Sequence, residues 1–167
     1  VEKYFIVSDK VIRAQGLVKK VVDVLTSSGI TVTGEFLDVP PNSAIMTVNS
    51  CAEKATSSGD QGLIAIGGGS AIDTAKAANI LISEGGDLVE DYSGIHTLTR
   101  PFNPLVGMPT TAGPGREVTM GAGLYDERNK EKLAFGEKFL VPSLAVLAPA
   151  VTTSMPPGLS AARARGA

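Results

Sequence analysis

Absences narrow the field first. The 167-residue chain has one cysteine, Cys51, so no disulfide can close within it, and a reducing compartment is expected, the cytoplasm by default. It contains no apolar run approaching the roughly 20 residues that cross a bilayer, and no secretory leader, which points away from a membrane. Positive charge is not in excess: 15 Lys and Arg stand against 17 Asp and Glu. The basic cluster that a nucleic-acid partner needs to displace counterions is missing, so nucleic acid is not expected. His96 is the sole histidine and lies in a polar stretch around Tyr92-Ser93-Gly94-Ile95, where a surface position is expected. No Ser-His-Asp or Cys-His pairing is visible. Internal repeats and low-complexity linkers are lacking too.

The remainder is globular in composition, 43% apolar and 19% charged, with length for one ordinary core. The chain starts at Val1 without methionine, as a processed or truncated product would. Lys3 to Ser8 is a short apolar run ending at Asp9 and suits a buried strand. From Val11 to Ser28, Val18, Val21, Val22 and Leu25 recur at helical spacing, and Gly29 stops the helix. Thr31 to Leu37 reads as a second strand, broken by Pro40-Pro41-Asn42-Ser43, where Asn42 or Ser43 could cap a helix to about Ser58. Gly62 to Ile66 is a third strand, followed by a helix from Ala71 to about Ser83. A fourth strand is expected over Pro104 to Met108, a hairpin over Val118 to Phe135 about the charged turn 126–130, and short elements at Leu144 to Leu147 and Pro149 to Met155. This alternation predicts an α/β fold: a Rossmann-like parallel sheet with helices on both faces, plus a small β-hairpin region. The apolar runs are continuous, as strands covered on two sides require.

The most informative segment is Leu63 to Lys76, which reads as strand, glycine turn and helix start. Gly67, Gly68 and Gly69 allow sharp backbone bending and close approach of a ligand. The helix behind them presents unpaired N–H groups and the positive end of its dipole. Such a turn holds phosphate. Ser70 and Asp73 have the spacing of a capping box, so they could equally do no more than start a helix. Three glycines in a row exceed what a plain turn requires, which favours a pyrophosphate. Asp9 ends the first strand on the same sheet edge, where its carboxylate could hold a ribose and repel a 2′-phosphate, favouring NAD over NADP. It could also simply cap the helix at Val11. Thr110 and Thr111 place two hydroxyls in a loop after a strand, suited to phosphate or ribose but also to closing a turn. Lys132 is either a ligand cation or an ordinary solvated hairpin lysine.

Two separated motifs, Gly67-Gly68-Gly69-Ser70-Ala71-Ile72-Asp73-Thr74-Ala75-Lys76 and Pro109-Thr110-Thr111-Ala112-Gly113 with Gly115 and Glu117-Val118-Thr119, resemble the iron-dependent (group III) alcohol dehydrogenases. Val141 to Leu147 and Met155-Pro156-Pro157 also look like that family, so the resemblance covers nearly the whole chain. It implies a dinucleotide-binding domain over 1–160, related to glycerol dehydrogenase and dehydroquinate synthase, followed by a truncated stub over 161–167. In the full family enzyme, NAD takes hydride from a small alcohol, giving the aldehyde, while a metal polarises the alcohol oxygen. Carried over, Asp9 would hold the adenosine ribose, Gly69 and Ser70 the pyrophosphate, Thr110 and Thr111 the adenine or ribose side, and Lys132 a ribose near the nicotinamide.

The chain departs from the family at several points. Pro114-Gly115-Arg116 replaces the usual Thr-Gly-Ser, which removes a hydroxyl and, at Pro114, a backbone donor. Ala148-Pro149 stands for Asp-Pro, and Pro41-Asn42-Ser43 for part of Pro-Asn-Pro-Thr. The helical metal domain is not in this sequence, and its one histidine cannot supply the family's three imidazoles, so no metal ligand is assigned. The expected function is NAD(H) binding, weaker than in a full-length relative, in an alcohol dehydrogenase-type oxidoreductase. A catalytically silent nucleotide-binding module, or a fragment of a related polyol or sugar-phosphate enzyme, is the alternative. Self-association through an uncovered apolar face is expected as well.

Overall fold

In a computed structural model the described residues are 2–149, except 96, 97, 99 and 114. The expected His96 surface position, Pro114, most of the terminal helical turn and the 161–167 stub therefore lie outside them.

Five parallel strands form the central sheet in the order β2-β1-β3-β5-β8. They are β1 (Lys3–Val7), β2 (Thr31–Phe36), β3 (Gly62–Gly67), β5 (Leu105–Pro109) and the short β8 (Leu144–Ala145). β3 is buried at every position, which is why its sequence is an unbroken apolar run. Alternate residues feed two separate cores. Phe5, Val7, Leu63 and Ala65 pack toward α3 (Ile45–Ser58) and α4 (Gly69–Glu84). Ile6, Ile64 and Ile66 pack with Ile12 and Val18 of α1 (Lys10–Ala14) and α2 (Leu17–Ser27) on the opposite face. Helices thus cover both faces, as the sequence predicts. A short α5 (Leu88–Tyr92) begins at Asp87, whose carboxylate accepts from Val89 N and Glu90 N.

A second, three-stranded sheet carries the hairpin of β6 (Gly121–Asp126) and β7 (Glu131–Gly136), with the two-residue β4 (Gly94–Ile95) parallel to β7. Asp126 holds the hairpin turn by accepting from Arg128 N at 2.9 Å and from the Asn129 amide at 2.8 Å.

Three local expectations need correction. The Val11–Ser28 pattern is two helices, not one: Gly16 adopts φ 76° and becomes the N-cap of α2, a left-handed kink that glycine tolerates without strain. The N-cap of α3 is Ala44 rather than Asn42 or Ser43, and it makes no side-chain cap bond. Ser70 and Asp73 form no capping box, because α4 begins at Gly69 with Gly68 as its N-cap, which leaves Ser70 inside the first turn.

The strand order sets the place of a ligand site. β1 runs to β2 on one side and, after α3, to β3 on the other. The chain therefore reverses between β1 and β3, and the carboxyl ends of those strands open a crevice there. Those ends carry Asp9 and Gly67.

Candidate functional site

Only the first of the three glycines is demanded by packing. Gly67 has φ 156°, and a Cβ there would sit 2.8 Å from Ala71 Cβ. Gly68 has φ −77°, ψ −171°, open to any residue, and its Cβ would come no closer than 3.5 Å to Thr111 Oγ1. At Gly69 a Cβ would lie 3.4 Å from Arg116 Cγ, an ordinary contact. The fold therefore needs glycine at 67, whereas at 68 and 69 it leaves backbone bare beside the N-terminus of a 16-residue helix. That is the surface an anion uses.

The anticipated residues gather around this turn. Asp9 Oδ1 accepts from Val11 N and Ile12 N, both at 2.9 Å, and so caps α1; its Oδ2 lies 3.5 Å from the Cβ position on Gly67. The carboxylate is thus a cap and at the same time a neighbour of the glycine turn. Thr110 N donates to Gly67 O at 3.0 Å, fastening the end of β5 to that of β3, and Thr111 sits against Gly68. Gly69, Ser70, Asp73 and Lys132 line a cavity of about 530 Å³, together with Pro41, Asn42, Ser43, Arg116, Gly123 and Tyr125. Asp9, Thr110 and Thr111 are not among its lining residues. The predicted set is brought to one sheet edge but divides between the crevice and this cavity.

Tertiary hydrogen bonds build the cavity walls. Ser70 Oγ accepts from Asn42 N at 3.2 Å, and Asn42 adopts φ 58°, a conformation asparagine accepts more readily than most residues. Ser43 Oγ donates to Ser70 O at 2.7 Å and contacts Thr74 Oγ1. Tyr125 N donates to Ser43 O at 2.8 Å, tying the 41–43 loop to β6. The hairpin wall is hung from α4 by two polar side chains one turn apart. Asp73 Oδ2 accepts from Gly123 N at 3.0 Å, and the wholly buried Lys76 donates to Thr119 O at 2.5 Å and Gly121 O at 3.0 Å.

Burial strains the charge states of that pair. Desolvation raises the Asp73 carboxyl above the ordinary aspartate value, opposed by the Gly123 N–H and by Arg116, Lys76 and Lys132. Desolvation lowers the Lys76 ammonium to about 8, with the Asp73 carboxylate opposing it. Asp73 is 4% exposed, yet its Oδ1 has no hydrogen-bond partner among the described residues. A buried carboxylate oxygen without a partner, on a residue that lines a cavity, is a group that a ligand's O–H or N–H donor would satisfy.

Sequence reasoning did not assign Asn42, Ser43, Arg116, Gly123 or Tyr125 to the site. The departures at Arg116 and at Pro41-Asn42-Ser43 were the available signals; Gly123 and Tyr125 reach the cavity through hairpin packing.

The model of the iron-containing alcohol dehydrogenases matches residues 1–149. The chain belongs to that family. It is 35% identical over 163 residues to choline dehydrogenase of Bacillus subtilis, covering 96% of this chain and 40% of that protein. It is 31% identical to the NAD-dependent methanol dehydrogenase of Bacillus methanolicus, covering 96% and 42%. Among solved structures, 1,3-propanediol oxidoreductase superposes with a TM-score of 0.91 at 33% identity, covering 97% of this chain and 42% of that one. Sulfoacetaldehyde reductase from Bifidobacterium kashiwanohense, in complex with NAD+, superposes with a TM-score of 0.88 at 28% identity, covering 98% and 43%. The chain thus spans about two-fifths of the length of these family members. No helix among the described residues is long and apolar enough to cross a membrane.

Proposed function

We propose that this chain is an NAD(H)-binding domain of an alcohol dehydrogenase-type oxidoreductase, one that exchanges hydride between a small alcohol or aldehyde and the coenzyme. The observation that carries the proposal is the bare backbone at Gly68 and Gly69, glycines that nothing in the protein's own packing requires, at the start of a long buried helix on the strand-reversal edge. The coenzyme diphosphate would lie on Gly69 and Ser70, with the Asp73 carboxylate accepting from a hydroxyl or amide beside it and Lys132 adding positive charge. Asp9 and Thr111, against Gly67 and Gly68, would take the adenosine ribose side, and Thr110 would hold that loop in place. A carboxylate at Asp9 accepts from ribose hydroxyls and repels a 2′-phosphate, which favours NAD over NADP.

The coenzyme supplies the hydride acceptor when bound. The protein's contribution is orientation and charge: main-chain donors neutralise the diphosphate, and the cavity walls fix the reactive end. A metal is a different matter. Among the described residues no group of three His, Cys, Asp or Glu side chains could hold one, and the sequence contains a single histidine. These residues do not fit the family's metal, and no step is assigned to one.

NADH fluorescence titration tests the proposal. Saturable enhancement, with NADPH binding more weakly, is expected. No saturable signal up to millimolar coenzyme would sink the reading.

A further inference from the structure

We propose that Arg116 is a diphosphate-binding residue of this site, parked beside Asp73 until an anion arrives. The inference rests on the coenzyme reading above and assigns it a residue that the sequence motifs do not.

Placement comes first. Gly115, at φ 63°, turns the chain into a 3-10 turn, Arg116–Val118, that lies against α4. The arginine stem reaches the Cα face of Gly69, its Cγ lying 3.4 Å from where a Cβ would stand. Three groups converge at Gly123: Arg116 Nη2 at 3.9 Å, Lys132 Cε at 3.2 Å and Asp73 Oδ2 at 3.9 Å from the Cβ position there. They are the charged side chains of the cavity, two cations against one carboxylate, and the first-turn amides of α4 add partial positive charge. The cavity therefore favours an anion.

The guanidinium is also poorly satisfied. Its Nε stands 3.7 Å from Asp73 Oδ2, an ion pair too long for a hydrogen bond, while that oxygen accepts from Gly123 N at 3.0 Å. No Arg116 side-chain N–H makes a hydrogen bond to a described residue. A planar fork of five donors beside a bare helix N-terminus matches two phosphate oxygens at once. Asp73 gives independent evidence of a ligand: the residue lines the same cavity, is 4% exposed, and its Oδ1 has no hydrogen-bond partner among the described residues, so a donor beside the anion would complete it. A diphosphate joined to a ribose offers both. Nor is the arginine needed as a structural tie, since the hairpin hangs on the Asp73–Gly123 and Lys76–Gly121 bonds.

The test compares the wild-type chain with R116A and R116K, using NADH, ADP-ribose and NADPH at two salt concentrations, with thermal unfolding alongside. Loss of a charge-assisted contact predicts that R116A weakens NADH and ADP-ribose alike, by about tenfold to a hundredfold, and flattens their salt dependence. R116K, a point charge without the fork, should recover part of this. The unfolding midpoint should stay within about 2 °C, since the change removes no hydrogen bond to a described residue and only a long, partly exposed ion pair. R116A binding NADH within twofold of wild type overturns the proposal and leaves the coenzyme reading standing. So does a loss confined to NADPH, which would place the contact at the 2′-phosphate, or a loss accompanied by a lowered midpoint. Failure of the wild-type chain to bind NADH removes both readings together.

Discussion

Replacing the three glycines one at a time should separate what the fold needs from what the ligand needs. At Gly67 an alanine methyl would stand 2.8 Å from Ala71 Cβ, a separation that real Cβ atoms do not keep, at a φ of 156°. Ala71 is 1% exposed at the start of a buried helix, so it has little room to retreat. Overpacking of this kind costs about 1–3 kcal/mol. For a domain of this size that lowers the unfolding midpoint by roughly 2–4 °C per kcal/mol. At Gly69 the balance reverses. The residue is the first of α4, its Cβ would make only an ordinary 3.4 Å contact, and glycine in a helix interior is worse than alanine by about 0.5–1 kcal/mol, somewhat less at the terminus. Gly69→Ala should therefore leave the midpoint unchanged or raise it slightly.

Binding should rank the same variants in a different order. On the coenzyme reading, a methyl at 69 would come between the backbone and the diphosphate, and displacing the ligand by even part of an ångström would lengthen several charge-assisted N–H contacts at once. Each tenfold loss corresponds to about 1.4 kcal/mol, and at least that much is expected. The assay is thermal unfolding and NADH titration on the same preparations of wild type, G67A, G68A and G69A. A stable G69A protein that binds NADH as wild type does would refute the diphosphate cradle. A G67A protein as stable as wild type would refute the packing argument.

Further outcomes follow from single residues. Asp9→Asn keeps the cap on α1, since asparagine caps as well as aspartate, but removes the charge facing a 2′-phosphate. NADPH affinity relative to NADH should rise by about tenfold; an unchanged ratio in paired titrations would remove Asp9 from the site. Lys76 releases its proton near pH 8 when folded and near 10.5 when unfolded, so between those values the unfolded chain binds more protons and stability rises with pH. Urea unfolding at pH 7 and 9.5 should show a gain of about 2 kcal/mol from this group. Lys76→Met should lack that gain, and an equal rise in the variant would contradict it. Burial pushes the Cys51 thiol up to about 12, so iodoacetamide at pH 8 should modify it only in denaturant. Rapid labelling of the native chain would show that α3 opens.

Alternation of strands and helices was legible because the central strands are buried on both sides, which turns their sequences into uninterrupted apolar runs such as Leu63 to Ile66. The glycine turn was legible for a related reason: no other residue offers so bare a backbone. The start of α4 was misplaced because Ser70 and Asp73 look like a local cap, yet their oxygens are claimed by distant donors. Ser70 Oγ takes Asn42 N, 28 residues away, and Asp73 Oδ2 takes Gly123 N, 50 residues away. Local pattern cannot foresee such competition. The split at Gly16 was hidden because the apolar spacing of Val18, Val21, Val22 and Leu25 belongs to α2 alone, and nothing marks the kink except one glycine. Arg116 stood out in the sequence only as a lost serine; its worth appears once the 3-10 turn carries it over α4.

α4 explains why buried polar side chains of this fold gather beside the cavity. The helix is buried along the whole stretch from Ala71 to Ile80, so each polar residue on it must find a partner inside the protein. Thr74 donates to Ser70 O at 2.9 Å, Lys76 to Thr119 O and Gly121 O, and the Asn79 amide to Asn103 O at 2.7 Å. Among the described residues four buried side-chain atoms stay unpartnered: Asp60 Oδ2, Asp73 Oδ1, Asn79 Oδ1 and Ser83 Oγ. Asp60, Asn79 and Ser83 do not line the cavity, so their cost is carried by the fold without return. Of these four residues only Asp73 lines it, on a turn of helix that already binds the hairpin wall. An unpartnered carboxylate oxygen there costs stability in the free protein, and on the coenzyme reading a donor arriving with the ligand would remove that cost. Asp73→Asn, which keeps an acceptor at reduced charge, should then stabilise the free chain and weaken NADH. A variant equally stable and equally tight-binding would show that the open oxygen has no bearing on the ligand.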